Sequence, residues 1–291
     1  MVLSFLPLFA VAISPLVAAQ VQDAAIAAIA YRLQTKGAPI CPVKQPQSGM
    51  LVHDISQYSG KLKEEARRVF GLGNHPAVLA VVADGAADRA GLRVNDMIIS
   101  INGKAVSGTI DDVLARALPS PPVRIGIDRG GVSRTVELTG VAGCASIVQV
   151  IPGAALSAQA DGVYAQINDS LIRYAQNDEE LASVIAHEMA HNILDHHKVL
   201  DAKGRSARVI RQTESEADRF SVYLMARAGY DPQAPARFWA RFGKKTGHGI
   251  FSDGTHPRTK PRVAALTAVA LEIAAKQRAG AAITPDFAPT Q

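Results

Sequence analysis

The segment HEMAH at residues 187–191 places two histidines four residues apart inside an apolar, helix-forming stretch. Residues four apart on a helix lie about 6 Å apart along the axis and share one face, so both imidazoles can reach a single ion. Leucine, valine and isoleucine surround the segment and predict that this helix is buried. Because buried imidazoles and carboxylates are costly without partners, the segment predicts a buried metal site.

Glu188 follows the first histidine and can contact a metal-bound water without being a ligand itself. Zinc lowers the pKa of such a water towards 7, and a nearby carboxylate can take its proton during attack on a carbonyl. We therefore predict a zinc metallopeptidase in which His187 and His191 bind the metal and Glu188 is the general base.

The third ligand is open to two interpretations. His197 stands where one group of zinc peptidases has its third ligand, but that arrangement needs a glycine at position 194 and this chain has Leu194. We expect the helix to continue over residues 179–197, which turns His197 away from the two ligands. His196 and His197 are then helix-end residues that suit the negative end of the helix dipole.

Glu214 is the favoured third ligand. It opens the segment ESEAD at residues 214–218, on a second predicted helix over residues 205–228. An antiparallel neighbouring helix can return a carboxylate to the open side of a two-histidine site, which gives His₂Glu with water in the fourth position. Asp218, one turn further on, is expected to accept the free ring N–H of a ligand histidine, and Glu216 is expected at the surface.

The motifs HEMAH, ESEAD and Thr255-His256-Pro257 with Arg262 resemble, in this order, the gluzincin metalloendopeptidase family of HtpX, the CaaX prenyl protease and BepA-like periplasmic proteases. The resemblance covers residues 146–275 and the N-terminal helix. It implies the same zinc ligands and base, with Asp218 and Arg262 behind the ligands.

Two further expectations follow from this family resemblance. His256 would approach the zinc, either as a latch on the fourth position or as a catalytic group that donates to the oxyanion. The strand around residues 161–168 would be the edge strand that receives an extended substrate by β-augmentation.

Residues 86–103, AADRAGLRVNDMIISING, resemble a bacterial PDZ domain of the kind attached to HtrA-type proteases. Asn95 stands where these domains usually carry glycine, and Asn is the ordinary residue that best tolerates a left-handed backbone. The resemblance implies a loop that holds a peptide's C-terminal carboxylate, formed by Phe70, Gly71, Leu72 and Gly73. A PDZ-shaped spacer with a closed groove is the alternative.

Hydrophobic patterning predicts an α+β fold: a mainly helical zincin-like peptidase domain with a small β-sheet, plus an inserted β-rich PDZ domain. Strands are predicted at 78–82, 97–101, 123–127, 135–138, 147–151 and 162–168. Helices are predicted at 20–35, 111–118, 179–197, 205–228, 232–241 and 258–279. The predicted divisions are a signal peptide (1–19), the N-terminal helical part of the peptidase (20–65), the PDZ domain (66–141), the zinc metallopeptidase domain (142–280) and a flexible tail (281–291).

The first nineteen residues contain no charged side chain, and Val17-Ala18-Ala19 suits cleavage before Gln20. This predicts an exported protein of the bacterial periplasm, with N-terminal anchoring to the inner membrane as the alternative. In an oxidising compartment Cys41 and Cys144, which flank the PDZ segment, suit a disulfide that clamps its two entry points together. Two free thiols are the alternative.

The formal net charge of +5 is spread along the chain without aromatic interleaving, which argues against nucleic-acid binding. The basic run from Lys198 to Arg211 indicates a solvated helix face or peripheral contact with a membrane or the cell envelope. The expected partners are protein or peptide substrates, and zinc is the expected cofactor. The leading hypothesis is an endopeptidase for unfolded or misassembled envelope proteins; the alternative is a latched, mainly PDZ-mediated binding or chaperone-like protein with rare proteolysis.

Overall fold

The chain contains both helices and strands in the computed structural model, which describes residues 14–106, 122–246 and 259–286. The helices are α1 (Pro15–Gly37), α2 (Gly60–Phe70), α3 (Ala86–Arg89), α4 (Asp169–Tyr174), α5 (Asp178–Ile193), α6 (His196–Lys203), α7 (Ala207–Arg227), α8 (Ala234–Thr246) and α9 (Thr259–Arg278). The strands are β1 (Lys44–Gln47), β2 (Met50–His53), β3 (Ala77–Val81), β4 (Met97–Ile101), β5 (Lys104–Ala105), β6 (Val123–Arg129), β7 (Val132–Leu138), β8 (Val141–Cys144), β9 (Ile147–Ile151), β10 (Ala158–Ala160) and β11 (Tyr164–Asn168). The α+β prediction is confirmed. The helix predicted at 111–118 lies outside the described residues.

The N-terminal helix α1 belongs to the same core as the later helices. Ser14 caps it by accepting a hydrogen bond from the Leu16 N–H, and Pro15 suits the first helical position because its missing N–H is not needed there. Ile26, Ile29 and Leu33 recur at three- and four-residue spacing and pack with buried residues of α5 and α7. Full burial of each such side chain contributes about 1.5–3 kcal/mol. Helix α1 therefore helps to build the core of the domain that contains α5 and α7.

Between α1 and the later helices in the sequence, the chain forms a six-stranded antiparallel sheet in the order β2-β3-β4-β6-β7, with β5 paired to β4. Its core contains Val78, Ile98 and Ile125, each fully buried. Asn95 has a φ of 67°, the left-handed conformation expected of a residue that replaces glycine. The sheet begins with β2, which lies before residue 66, where the sequence placed the start of this module.

The segments that enter and leave this inserted sheet run side by side. β1 and β8 pair antiparallel, with Lys44 opposite Cys144. A disulfide joins Cys41 to Cys144, with 5.5 Å between their Cα atoms. A covalent bond therefore closes the junction at which the chain enters and leaves the insertion.

The chain after the insertion forms a three-stranded sheet in the order β10-β11-β9. β11 pairs with β10 on one side and with β9 on the other, so it is the central strand. The prediction that residues 161–168 form an edge strand is therefore wrong, and the edge beside the helices is β10. Sequence patterning cannot identify an edge, because the edge depends on which strands pair.

Helix α1 begins at Pro15 and so continues across the predicted cleavage point before Gln20. Leu16 packs in a small cluster with Phe70 and Leu72. Within the ranges given above, none of the helices is both long and apolar enough to cross a membrane.

Candidate metal centre

The two histidines of the HEMAH segment lie on the buried face of α5. Asn177 caps this helix through a hydrogen bond from the Glu180 N–H to its side-chain oxygen, which fixes where the helix begins. His187 and His191 are then one turn apart, and their Nε2 atoms lie 3.2 Å from each other. His187 is buried, and the His191 side chain is 16% exposed.

Glu214, from the neighbouring helix α7, completes a triangle with these two nitrogens. Its Oε2 lies 3.4 Å from His187 Nε2 and its Oε1 lies 3.3 Å from His191 Nε2. A tetrahedral zinc ion with bonds of about 2.0–2.1 Å holds its ligand atoms about 3.3–3.4 Å apart. Each nitrogen therefore lies at about this distance from the other nitrogen and from its nearer Glu214 oxygen, and the three side chains form a group able to hold a metal ion.

Asp218 fixes the orientation of the first histidine. Its Oδ1 lies 3.0 Å from His187 Nδ1, so the Nδ1–H points at this carboxylate and Nε2 faces into the site. Arg262 donates to Asp218 from Nε at 2.8 Å and from Nη2 at 2.6 Å. The Arg262 guanidinium lies 3.4 Å from the centroid of the Trp239 ring. This chain of contacts links Arg262 to His187 through Asp218.

The surroundings of the site shift the pKa values of the two histidines in opposite directions. Burial alone would lower the pKa of His187, but the Asp218 and Glu214 carboxylates raise it to about 10. Burial lowers the pKa of His191 to about 3, against the opposing pull of Glu214. Burial would raise the pKa of Asp218, but Arg262 and the His187 hydrogen bond bring it below its usual value. The carboxylates of Glu214 and Asp218 therefore favour positive charge beside the two imidazoles.

Glu188 lies beside these groups and lines the same cavity of about 220 Å³. The cavity is bordered by the metal-binding group, by Trp239 and Arg262, and along one side by strand β10. Glu188 is nine-tenths buried, so its carboxylate faces a confined space instead of bulk solvent. A carboxylate beside a metal site and beside an open strand edge can act on a peptide held at that edge.

Helix α5 ends earlier than the sequence predicts. It ends at Ile193, Asp195 adopts a left-handed φ of 58°, and α6 begins at His196. The predicted continuous helix to residue 197 is therefore wrong, because Asp, like Asn, tolerates this conformation and lets the chain turn. The turn leaves His197 half-exposed beside Asp201, away from the ligand triangle.

The same turn brings His196 back to the metal site, where the sequence did not place it. His196 is 1% exposed, and its Nδ1 lies 2.9 Å from His191 Nδ1. Glu216, expected at the surface, is only 12% exposed at its side chain and lies 3.4 Å from His196 Nε2. The signal that could have revealed this pair is Asp195, a turn-tolerant residue directly before a second histidine.

The remaining predicted residues lie elsewhere. Phe70 ends α2 and Gly71, at a φ of 67°, terminates the helix, while Phe70 and Leu72 are buried in the small cluster with Leu16. The stretch Phe70–Gly73 therefore closes a helix onto a core. His256 lies outside the described residues.

Comparisons with known proteins find two family models that match different parts of the chain. Residues 154–208 and 202–270 match the model of Peptidase family M48, and residues 78–125 match the model of the PDZ domain. A crystal structure of the HtrA3 PDZ domain bound to a phage-derived ligand, FGRWV, is 15% identical over 34% of this chain and 88% of that chain, with a TM-score of 0.28. The HtrA-type protease AlgW with a decapeptide is 23% identical over 34% of this chain and 30% of that chain, with a TM-score of 0.28.

Proposed function

We propose that this chain, a peptidase of family M48 with an inserted PDZ domain, is a zinc-dependent endopeptidase. The observation that carries the zinc assignment is the close approach of His187, His191 and Glu214: the two Nε2 atoms lie 3.2 Å apart, and each lies 3.3–3.4 Å from one oxygen of the Glu214 carboxylate. These distances suit a tetrahedral zinc site, and His₂Glu is a ligand set of catalytic zinc.

In this proposal His187, His191 and Glu214 would hold the zinc ion, which would supply Lewis-acid polarisation of the scissile carbonyl and a lowered pKa for water at the site. Glu188 accepts the proton of the attacking water and then delivers it to the departing amine nitrogen. Asp218 keeps the His187 Nδ1–H bound, so that Nε2 stays free for the metal. Arg262 keeps Asp218 ionised in its buried position.

Strand β10 supplies the substrate-holding surface. It is an edge strand and it borders the cavity that contains Glu188. An extended peptide that pairs with this edge would place its backbone carbonyls beside the metal site. Recognition through the backbone suits unfolded chains of varied sequence, which supports unfolded or misassembled proteins as the substrate class.

The PDZ domain is proposed to hold protein or peptide partners at strand β2, the edge of its sheet. Export to the periplasm, with the N-terminal segment as signal peptide or inner-membrane anchor, belongs to the same proposal. The disulfide of Cys41 and Cys144 supports it, because structural disulfides persist in oxidising compartments.

A peptidase assay on a reduced, alkylated and therefore unfolded protein tests the proposed chemistry. Glu188→Gln should keep zinc and lose about 10²–10⁴-fold in kcat, since it removes the general base. His197→Ala, a half-exposed neighbour outside the ligand triangle, is the matched control and should cleave like the wild type. Equal cleavage by Glu188→Gln and the wild type, or zinc binding with no cleavage by either, would favour the binding or chaperone-like function instead.

A further inference from the structure

The second metal-binding histidine has its own support, and it is built from different chemistry from the first. His191 Nδ1 faces His196 Nδ1 at 2.9 Å, whereas His187 Nδ1 faces the Asp218 carboxylate at 3.0 Å. An imidazole can donate or accept at this position, but a carboxylate can only accept. These two rings alone therefore do not determine which of them carries the proton between His191 and His196; a further group must favour one tautomer.

Glu216 is placed to decide it. Its Oε2 lies 3.4 Å from His196 Nε2, a buried nitrogen that has no hydrogen bond of good geometry within the described ranges. A buried N–H beside a carboxylate is favourable, but a buried lone pair facing a carboxylate is repulsive. Glu216 therefore favours the His196 tautomer with its hydrogen on Nε2 and its lone pair on Nδ1.

That tautomer sets the state of His191. His196 Nδ1 then accepts, so His191 must donate from Nδ1, and the His191 Nε2 lone pair is left pointing at His187 Nε2 and Glu214. The opposite arrangement would put a hydrogen on His191 Nε2, inside the ligand triangle, where it would block a metal ion. The direction of two hydrogen bonds is thus linked to the competence of the site.

We propose that His196 is a positioning residue, which with Glu216 behind it holds His191 in the tautomer and orientation that bind the metal. The inference rests on the proposed zinc site. It assigns each histidine ligand a separate support: a carboxylate backed by an arginine for His187, and an imidazole backed by a carboxylate for His191.

Zinc affinity of the purified full chain tests this, measured by competition with a chromophoric chelator so that no peptidase activity is needed. His196→Leu keeps apolar bulk but removes both nitrogens, and it should weaken zinc binding about 10–100-fold. His196→Gln can still accept from His191 through its oxygen and donate to Glu216 through its nitrogen, so it should restore most of the affinity. His197→Leu changes the adjacent, half-exposed histidine and should bind like the wild type.

Unchanged affinity in His196→Leu would overturn the inference. So would an equal loss in the Leu and Gln variants, because this would show that packing alone is responsible. If His196→Leu does not fold, as judged by circular dichroism, Glu216→Leu tests the same pair from its far end, and wild-type affinity there would also overturn it. Zinc binding that is lost in His187→Ala but unchanged in His196→Leu leaves the proposed function standing. No zinc binding by the wild type overturns both.

Discussion

Two strand edges of this protein lie beside cavities, and the walls of those cavities differ in chemistry. β10 borders a cavity of about 220 Å³ that it shares with three carboxylate- or imidazole-bearing groups of the metal site and with Arg262. β2 borders a cavity of about 390 Å³ whose walls, among the described residues, carry no acidic or basic side chain. Under the proposed function, a peptide at the first edge would meet reactive groups, and a peptide at the second would only be held. We call β10 the cutting edge and β2 the holding edge of this proposal.

A buried polar network connects these two edges. Gln34, on the wall of the larger cavity, donates to the Ser146 carbonyl at 2.6 Å. Asn192, next to His191, donates to Ser146 Oγ at 3.0 Å and accepts from the Gly162 N–H at 2.8 Å. Gly162 lies in the turn between β10 and β11. Hydrogen bonds through Ser146 and Asn192 therefore link the wall of the larger cavity to the turn beside β10, and Asn192 is on the helix that carries the two histidines.

Removing the disulfide should have the largest effect, because the bond fixes the junction between the two regions. It spans 103 residues, and a crosslink of that length stabilises by about 4–5 kcal/mol in the chain-entropy model. We expect the Cys41→Ser, Cys144→Ser double variant to lose about this free energy of unfolding in a denaturant titration. The wild type in reductant should show the same loss. A double variant as stable as the oxidised protein would mean that the β1–β8 pairing alone holds the junction.

The next largest effect is expected in the pH dependence of binding: zinc binding beside the cutting edge should release a proton, and peptide binding at the holding edge should not. In the metal-free protein the pKa of His187 is about 10, so zinc must displace its proton at any lower pH, while His191, with a pKa of about 3, is already neutral. Apparent zinc affinity should rise about tenfold per pH unit, or about 100-fold from pH 6 to 8, with roughly one proton released. Calorimetry in two buffers of different ionisation enthalpy measures this number. Peptide binding at β2 should be flat over the same range. Release of no proton, or of two, would contradict the assignment.

The sequence predicted the metal site better than the edges, for a physical reason. The spacing of His187 and His191, and of Glu214 and Asp218, is fixed by the geometry of one helix, so local pattern determines it. The return of His196 depends on one residue, Asp195, leaving the helical region, and its turn-tolerant side chain is the one local signal of this. The identity of β10 as the edge depends on pairing between distant segments, which no local pattern contains.

At the cutting edge, a proline can remove one backbone donor without breaking the sheet. The hydrogen bonds Asn168 N–H to Ser157 O and Asp161 N–H to Tyr164 O bracket the β10–β11 pair. Because bonded residues alternate in an antiparallel pair, Ala160 directs its N–H and C=O away from β11, towards the open edge.

Ala160→Pro should therefore lower kcat/KM on an unfolded substrate about tenfold, the equivalent of about 1–1.5 kcal/mol for one lost hydrogen bond. Zinc affinity should not change, since Ala160 is not among the ligands. Gln159→Ala, which leaves the backbone intact, is the matched control and should behave like the wild type. Wild-type cleavage by Ala160→Pro would remove β10 as the substrate edge.

The smallest effect is expected at the holding edge. Leu51 lies on β2, is half-buried and lines the larger cavity, so Leu51→Asp places a charge where an apolar peptide side chain would pack. We expect KM for a long substrate to rise about fourfold with kcat unchanged, the signature of lost binding away from the reacting bond. Val132→Asp makes the same kind of change on β7, the opposite edge of the same sheet, where the residue is 52% exposed. A rise in KM for Leu51→Asp alone would assign holding to β2. A fall in kcat would instead show that the polar network carries the disturbance to the histidine helix, and the two edges would then be one coupled device.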